Sequence, residues 1–346
     1  MSRPLARTAL VVGAIVAALG MSACGGATQA SGAGPEVVRL GYFPNLTHAT
    51  AIVADKEGFF TKHLGTTTLK VSTFNAGPAA IEALKSGAID ATYVGPGPAT
   101  NAFINSGGKA LTVVAGAATG GTSLVVDPSI SSAADLKGKK VSSPQLGNTQ
   151  DIALRYWLKQ HGVTTDLQGG GDVSILPQEN PQIVDAFKQK QIAGAWVPEP
   201  YATRLVQAGG KVLVDERDLW PGKKFAITVL AVRTDFLTAH PQTVSALIAG
   251  GLDATDLIAK NPATAQKDVA DLIAKVSGKP LKPAVIQAAW TKLSFTADPV
   301  TSSLLTGAQH AYQVGVLKKE PKLDGLVDLT LLNQLLKERG KPVIAP

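Results

Sequence analysis

The chain has 346 residues, 45% hydrophobic and 17% charged, which is apolar enough for a buried core and long enough for about two domains. That composition excludes a disordered polymer and a collagen, and the single cysteine excludes structural disulfides, Cys-rich zinc sites and CxxC redox chemistry. The formal charge of +7 is weakly basic for this size, and no basic cluster exceeds Lys137-Gly138-Lys139-Lys140, so no nucleic-acid partner is expected.

Arg3 and Arg7 form a short basic segment, followed by an uncharged apolar run from Ala9 to Met21. As a helix that run would rise only about 20 Å, too short for a bilayer core of roughly 30 Å but typical of a secretory signal. It ends in Leu19-Gly20-Met21-Ser22-Ala23-Cys24, which resembles a bacterial lipobox. The reading is a signal peptide over 1–23, a lipidated Cys24, and a flexible tether over 24–36 built on Ala27-Thr28-Gln29-Ala30-Ser31-Gly32-Ala33-Gly34-Pro35.

From there strands and helices alternate. Val37–Tyr42 predicts a strand and His48–Phe60 a helix; Thr68–Phe74 predicts a strand, and Asn75-Ala76-Gly77-Pro78 opens a helix to about Ser86. Ala91–Val94 is a short strand that ends in Gly95-Pro96-Gly97-Pro98. The order returns about 100 residues later: strand Lys140–Ser143, loop Pro144–Asn148, helix Thr149–His161. A shift of 103 lays Pro78–Ala99 on Pro181–Ala202, matching Pro78/Pro181, Ala83/Ala186, Ile89/Ile192 and Val94/Val197 among others. Two similar α/β lobes imply a cleft, where small ligands bind. Beyond Arg233 the pattern is helical, with expected helices over Pro241–Ala259, from Asn261-Pro262, over Pro299–Val316 and over Leu326–Arg339.

Phosphate-binding and nucleophile motifs are missing. Gly95-Pro96-Gly97-Pro98 falls short of G-x-G-x-x-G, and its prolines remove N–H donors. There is no P-loop and no G-x-S-x-G elbow, and the five histidines share no metal-ligand spacing. The expectation is capture rather than catalysis, with no cofactor and no metal.

Several segments resemble one family. They are Gly41-Tyr42-Phe43-Pro44-Asn45-Leu46-Thr47-His48-Ala49, Ala83-Leu84-Lys85-Ser86-Gly87-Ala88-Ile89-Asp90, Pro144-Gln145-Leu146-Gly147-Asn148-Thr149 and Trp196-Val197-Pro198-Glu199-Pro200-Tyr201. Together they are similar to the nitrate/sulfonate/taurine group of ABC-transporter substrate-binding proteins, nearest its aliphatic-sulfonate branch. The resemblance implies an α/β, two-lobed periplasmic-binding-protein fold (type II) with C-terminal helices on lobe one and two crossovers, expected near Gly121–Val126 and Ala226–Val232. Lobe one is expected over 37–122, lobe two over 123–228, and the return with its helical tail over 229–346. It also implies a monomer on the outer face of the cytoplasmic membrane that hands a small anion to an ABC permease. Taurine or nitrate are alternative ligands. An enzyme on the same scaffold, of the menaquinone or thiamine-precursor type, is the alternative of another class.

The expected site starts at Gly147, Asn148, Thr149 and Gln150. The first N–H groups of a helix lack partners there and carry partial positive charge, although Asp151 in the same turn would repel an anion unless it points away. Asn45, Thr47 and His48 occupy the matching junction of lobe one. Gly95 and Pro96 are expected where the backbone approaches the ligand closely, and Thr122 at the first crossover. Trp196 is expected as an apolar wall for an organic tail. Glu199 would pair with Lys224 or Arg204, or would receive an amine.

Overall fold

The computed structural model describes residues 36–345. The expected signal peptide, Cys24 and all but the last residue of the tether lie outside them.

Lobe one begins with β1 (Val37–Tyr42), which pairs in parallel with β2 (Thr68–Thr73) and with β3 (Ala91–Val94). Between β1 and β2 the expected long helix is divided into a 3-10 turn (Leu46–His48), α1 (Ala49–Lys56) and α2 (Phe59–Leu64). The break falls at Gly58, whose φ of +69° is left-handed and suits glycine. Helix α3 (Gly77–Lys85) joins β2 to β3. Helix α4 (Pro96–Asn105) starts inside Gly95-Pro96-Gly97-Pro98, with a proline at its first position, where a missing N–H costs nothing. Strand β4 (Leu111–Gly120) then runs buried along its whole length, as a strand covered on both faces does.

The chain crosses at Gly120-Gly121, both with left-handed φ (+74° and +70°), straight into β5 (Thr122–Val126) of the second sheet. That sheet adds β6 (Lys140–Ser143), α5 (Thr149–Gln160), β7 (Ser174–Pro177), α6 (Asn180–Lys188), β8 (Gly194–Pro198), α7 (Tyr201–Gln207) and β9 (Lys211–Asp215). Its strand order is β7-β6-β8-β5-β9. The return crossing lies ahead of Ala226 and not within Ala226–Val232, because β10 (Ala226–Arg233) is wholly a strand of the first sheet, antiparallel to both β3 and β4.

The repeat is structural. Under the shift of 103, the first residue of β1 falls on that of β6, α3 covers α6 end to end, and β3 begins where β8 begins. As β1 pairs in parallel with β2 and β3, so β6 pairs in parallel with β7 and β8.

The tail comprises α8 (Thr234–Ala239), α9 (Pro241–Lys260), α10 (Pro262–Ser277), α11 (Pro283–Trp290), β11 (Leu293–Phe295), α12 (Thr301–Gln313) and α13 (Thr330–Glu338). Helix α9 buries Val244, Leu247, Ile248 and Leu252 against Phe60 and Tyr93, which fixes the tail on lobe one. Truncating such a residue to Ala would cost about 2–5 kcal/mol. Strand β11, not expected from the sequence, completes the first sheet, β11-β4-β10-β3-β1-β2. Helix α12 reaches further, because His310 stacks on Tyr156 of α5 at 3.5 Å and Gln313 O accepts from Lys159 Nζ at 2.6 Å.

Candidate ligand site between the lobes

Seven of the expected residues converge on one small cavity between the lobes: Asn45, Thr47, His48, Gly95, Asn148, Thr149 and Gln150. The cavity also takes Phe43, Asn75, Asn180, Pro198 and Ile227. Among the described residues, no Asp, Glu, Lys or Arg lines it.

Its polar groups are oriented as donors. Asn45 Oδ1 accepts from Thr47 Oγ1 (2.8 Å), which leaves the amide's Nδ2 end to donate. Gln150 Oε1 accepts from Asn148 Nδ2 (3.1 Å), which leaves Nε2 of Gln150 in the same position. His48 stacks on Phe43 (4.2 Å), and its Nδ1 faces the Phe43 N–H at 3.3 Å, so the ring proton belongs on Nε2. Burial drops the His48 pKa to about 3, so the ring is neutral at physiological pH and acts as a donor without charge.

Helix starts add to this polarity. No side chain caps α5, whose cap residue Asn148 is extended (φ −70°, ψ 161°), so its first N–H groups stay open toward the cavity. The 3-10 turn after Asn45 is likewise uncapped, and α6 begins at Asn180. Asn180 Oδ1 is buried without a partner, an acceptor among these donors.

Asp151 points away from the cavity. It is fully buried, paired with Arg155 Nε at 3.1 Å, and it accepts from Ser143 Oγ (2.8 Å) and Gly147 N (2.9 Å). Its charge is therefore neutralised within lobe two.

Five expectations need correction. The Gly147 N–H is consumed by Asp151, and the residue lines an outer groove with Pro78 and Leu146, not the cavity. Trp196 is fully buried in the lobe-two core, edge-on to Trp157, and donates through Nε1 to Glu216 at 2.7 Å, so it walls no ligand space. Glu199 pairs with neither Lys224 nor Arg204; both its oxygens accept from Thr203 at 3.0 Å, capping α7, and burial raises its pKa. Thr122 is buried in β5 opposite Pro198 and does not line the cavity. Pro96 opens α4 and lines a second cavity instead.

That second cavity adjoins the first at Thr149 and is largely apolar, walled by Ile152, Trp220, Phe225 and Leu304. Sequence reasoning missed it, because the loop carrying Trp220 and Phe225 has no periodic pattern. Asn180 was also missed, although the 103-residue shift places Asn180-Pro181 on Gly77-Pro78 and so marks it.

Two lobes joined by two crossings, with the tail returned to lobe one, are the fold of the periplasmic binding proteins. The alkanesulfonate-binding protein SsuA of Xanthomonas axonopodis pv. citri has the same fold, with a TM-score of 0.71 at 21% identity over 86% of this chain and 99% of that one. A family model described as NMT1-like matches residues 31–274, and the chain belongs to that family. A Brucella abortus protein described no further than as a binding protein is 31% identical over 229 residues, covering 65% of this chain and 68% of that one. The taurine-binding periplasmic protein of Escherichia coli K12 is 29% identical over 232 residues, covering 66% and 70%. By family the protein is NMT1-like, and by fold it is a periplasmic binding protein.

Proposed function

We propose that the protein captures an organosulfonate outside the cytoplasm and delivers it to an ABC permease, and that it remains tethered by a lipid on Cys24. The uncharged lining of the cavity, with the donor ends of Asn45, Gln150 and His48 turned to it, carries this reading. A sulfonate is ionised at any physiological pH, and its three oxygens accept hydrogen bonds but donate none. It therefore meets side-chain donors and helix starts without needing an acceptor in return. Nitrate shares those properties but has no organic part, and the adjoining apolar cavity favours a ligand that has one.

Calorimetry with methane-, ethane- and butanesulfonate, nitrate, sulfate and bicarbonate tests the assignment. Sulfonates are expected to bind and to be recovered unchanged. Binding of nitrate or bicarbonate without any sulfonate overturns the substrate, and chemical conversion of a bound sulfonate overturns the binding-only role.

A further inference from the structure

The basic run Lys137-Gly138-Lys139-Lys140 is too short by itself to mark a surface. The fold enlarges it. Lys139 and Lys140, which lead into β6, line an open groove with Lys188 at the end of α6 and Lys190 just past it. All four are exposed, and among the described residues none of them lies in an ion pair. Neighbouring Lys137 is paired, with Asp172 at 3.5 Å. Among the described residues the groove has one acid, Asp127, which already accepts from Ser129 N (2.9 Å) and Oγ (2.6 Å). The groove opens at the starts of β6 and β8, whereas the ligand cavity lies beyond their ends, at Asn148 and Pro198. These charges therefore do not serve the ligand site.

The 103-residue echo supplies an internal comparison. Lys139 falls on Glu36, Lys190 on Gly87 and Ala193 on Asp90. In lobe one Asp90 neutralises Arg39 (3.4 Å) and Arg233 (3.5 Å), and Lys85, the counterpart of Lys188, pairs with Glu82 at 3.2 Å. Lobe two keeps the cations and leaves them unpaired. Lys190 also keeps the left-handed φ of its glycine counterpart, +57° against +75°. That conformation is strained for a residue with a Cβ, so the local backbone favours glycine and does not account for the lysine.

We propose that this end of lobe two docks on an anionic phospholipid surface, where the four ammonium groups meet lipid phosphates and hold the body against the membrane. The proposal rests on the lipid-tethered reading above for its location, and not on the ligand. Exposed lysines carried by separate segments suit a fluid field of phosphates, which requires no fixed geometry, and each cation near such a surface strengthens binding about fivefold. The tether over 24–36 spans at most about 45 Å when extended, so a membrane surface stays within reach of the body. Docking by this end leaves the ligand cavity uncovered.

Gly34–Pro346 forms one compact unit, so the body can be prepared without the signal segment and the acyl chain. Vesicle flotation at about 50 mM salt tests the proposal, with pure phosphatidylcholine and with phosphatidylcholine containing phosphatidylglycerol. The body is expected to float with the anionic vesicles alone and to be released at about 500 mM salt. Lys190→Gly should lower partition about fivefold. It should also raise the urea midpoint, because glycine suits the left-handed φ, so the lost binding cannot be unfolding. Lys188→Gln with Lys190→Gly should lower partition tenfold or more, to about the square of the single effect. Lys318→Gln with Lys319→Gln removes the same charge from an exposed pair in the tail and should leave partition within about twofold. No flotation with phosphatidylglycerol, or equal losses from the two double variants, overturns the membrane surface. Either result leaves the sulfonate reading standing, because calorimetry on the same body reads that separately.

Discussion

Thr149 Oγ1, in lobe two, accepts a hydrogen bond from the Gly97 N–H of lobe one at 3.1 Å. Only glycine permits that approach. A Cβ on Gly97 would lie 2.8 Å from Ile152 Cδ1, and a Cβ on Gly95 would lie 2.5 Å from Thr149 Oγ1. The glycines at this helix start therefore serve lobe-to-lobe contact. With the Asn75–Glu179 bond at 3.1 Å, they form a seam between the lobes.

Gly95→Ala should therefore act on closure. Gly95 has φ −69° and ψ 150°, which any residue adopts, so both lobes should fold normally. The added methyl props the seam open. The dissociation constant for a sulfonate is expected to rise about tenfold, or about 1.4 kcal/mol. The ligand-induced decrease in radius of gyration, measured by small-angle scattering, should shrink or vanish.

His48 sets a pH dependence of stability but not of affinity. Its folded pKa lies near 3, against 6.5 for the free side chain, so the unfolded chain takes up a proton first as pH falls. Its contribution is full above pH 6.5 and is lost progressively toward pH 3, amounting to about 2 kcal/mol at pH 5. Urea titrations should show this loss, and His48→Gln should remove that part of it. Affinity for methanesulfonate, which has no chain to enter the cavity at Glu216, should stay flat between pH 5.5 and 8, because the His48 ring remains a neutral donor throughout.

The buried pair Asp151–Arg155 should be costly to break and cheap to replace. Asp151→Ala leaves a buried guanidinium unpaired and frees the Gly147 N–H, with an expected loss of about 3–5 kcal/mol. Pairing it with Arg155→Met should restore most of that stability in chemical denaturation.

Cys24→Ala should release the exported protein from membranes into the soluble fraction. Persistence in the membrane fraction after this change would overturn the lipid anchor.

The frame was legible because it depends on local rules. Alternating strands and helices, prolines at the first turns of α3 and α6, and the 103-residue echo together define two lobes. The donors were legible for the same reason, since they sit at strand-to-helix junctions. Side-chain direction was not legible. Nothing local distinguishes Trp196, which turns inward to Glu216, from Trp220, which faces a cavity. Gly147 was misread because its N–H is taken by a carboxylate four residues on, a bond that only the folded turn reveals.

The placement of β10 between β3 and β4 also has a consequence for folding order. Lobe two lies within a single stretch bounded by β5 and β9, whereas the middle of lobe one's sheet stays vacant until a strand more than 100 residues downstream of β4 returns. Contacts between distant segments form slowly. In pulse-labelled hydrogen exchange, amides of β6 and β8 should gain protection before those of β3 and β4, so an emerging chain would hold a finished inner module inside an incomplete host.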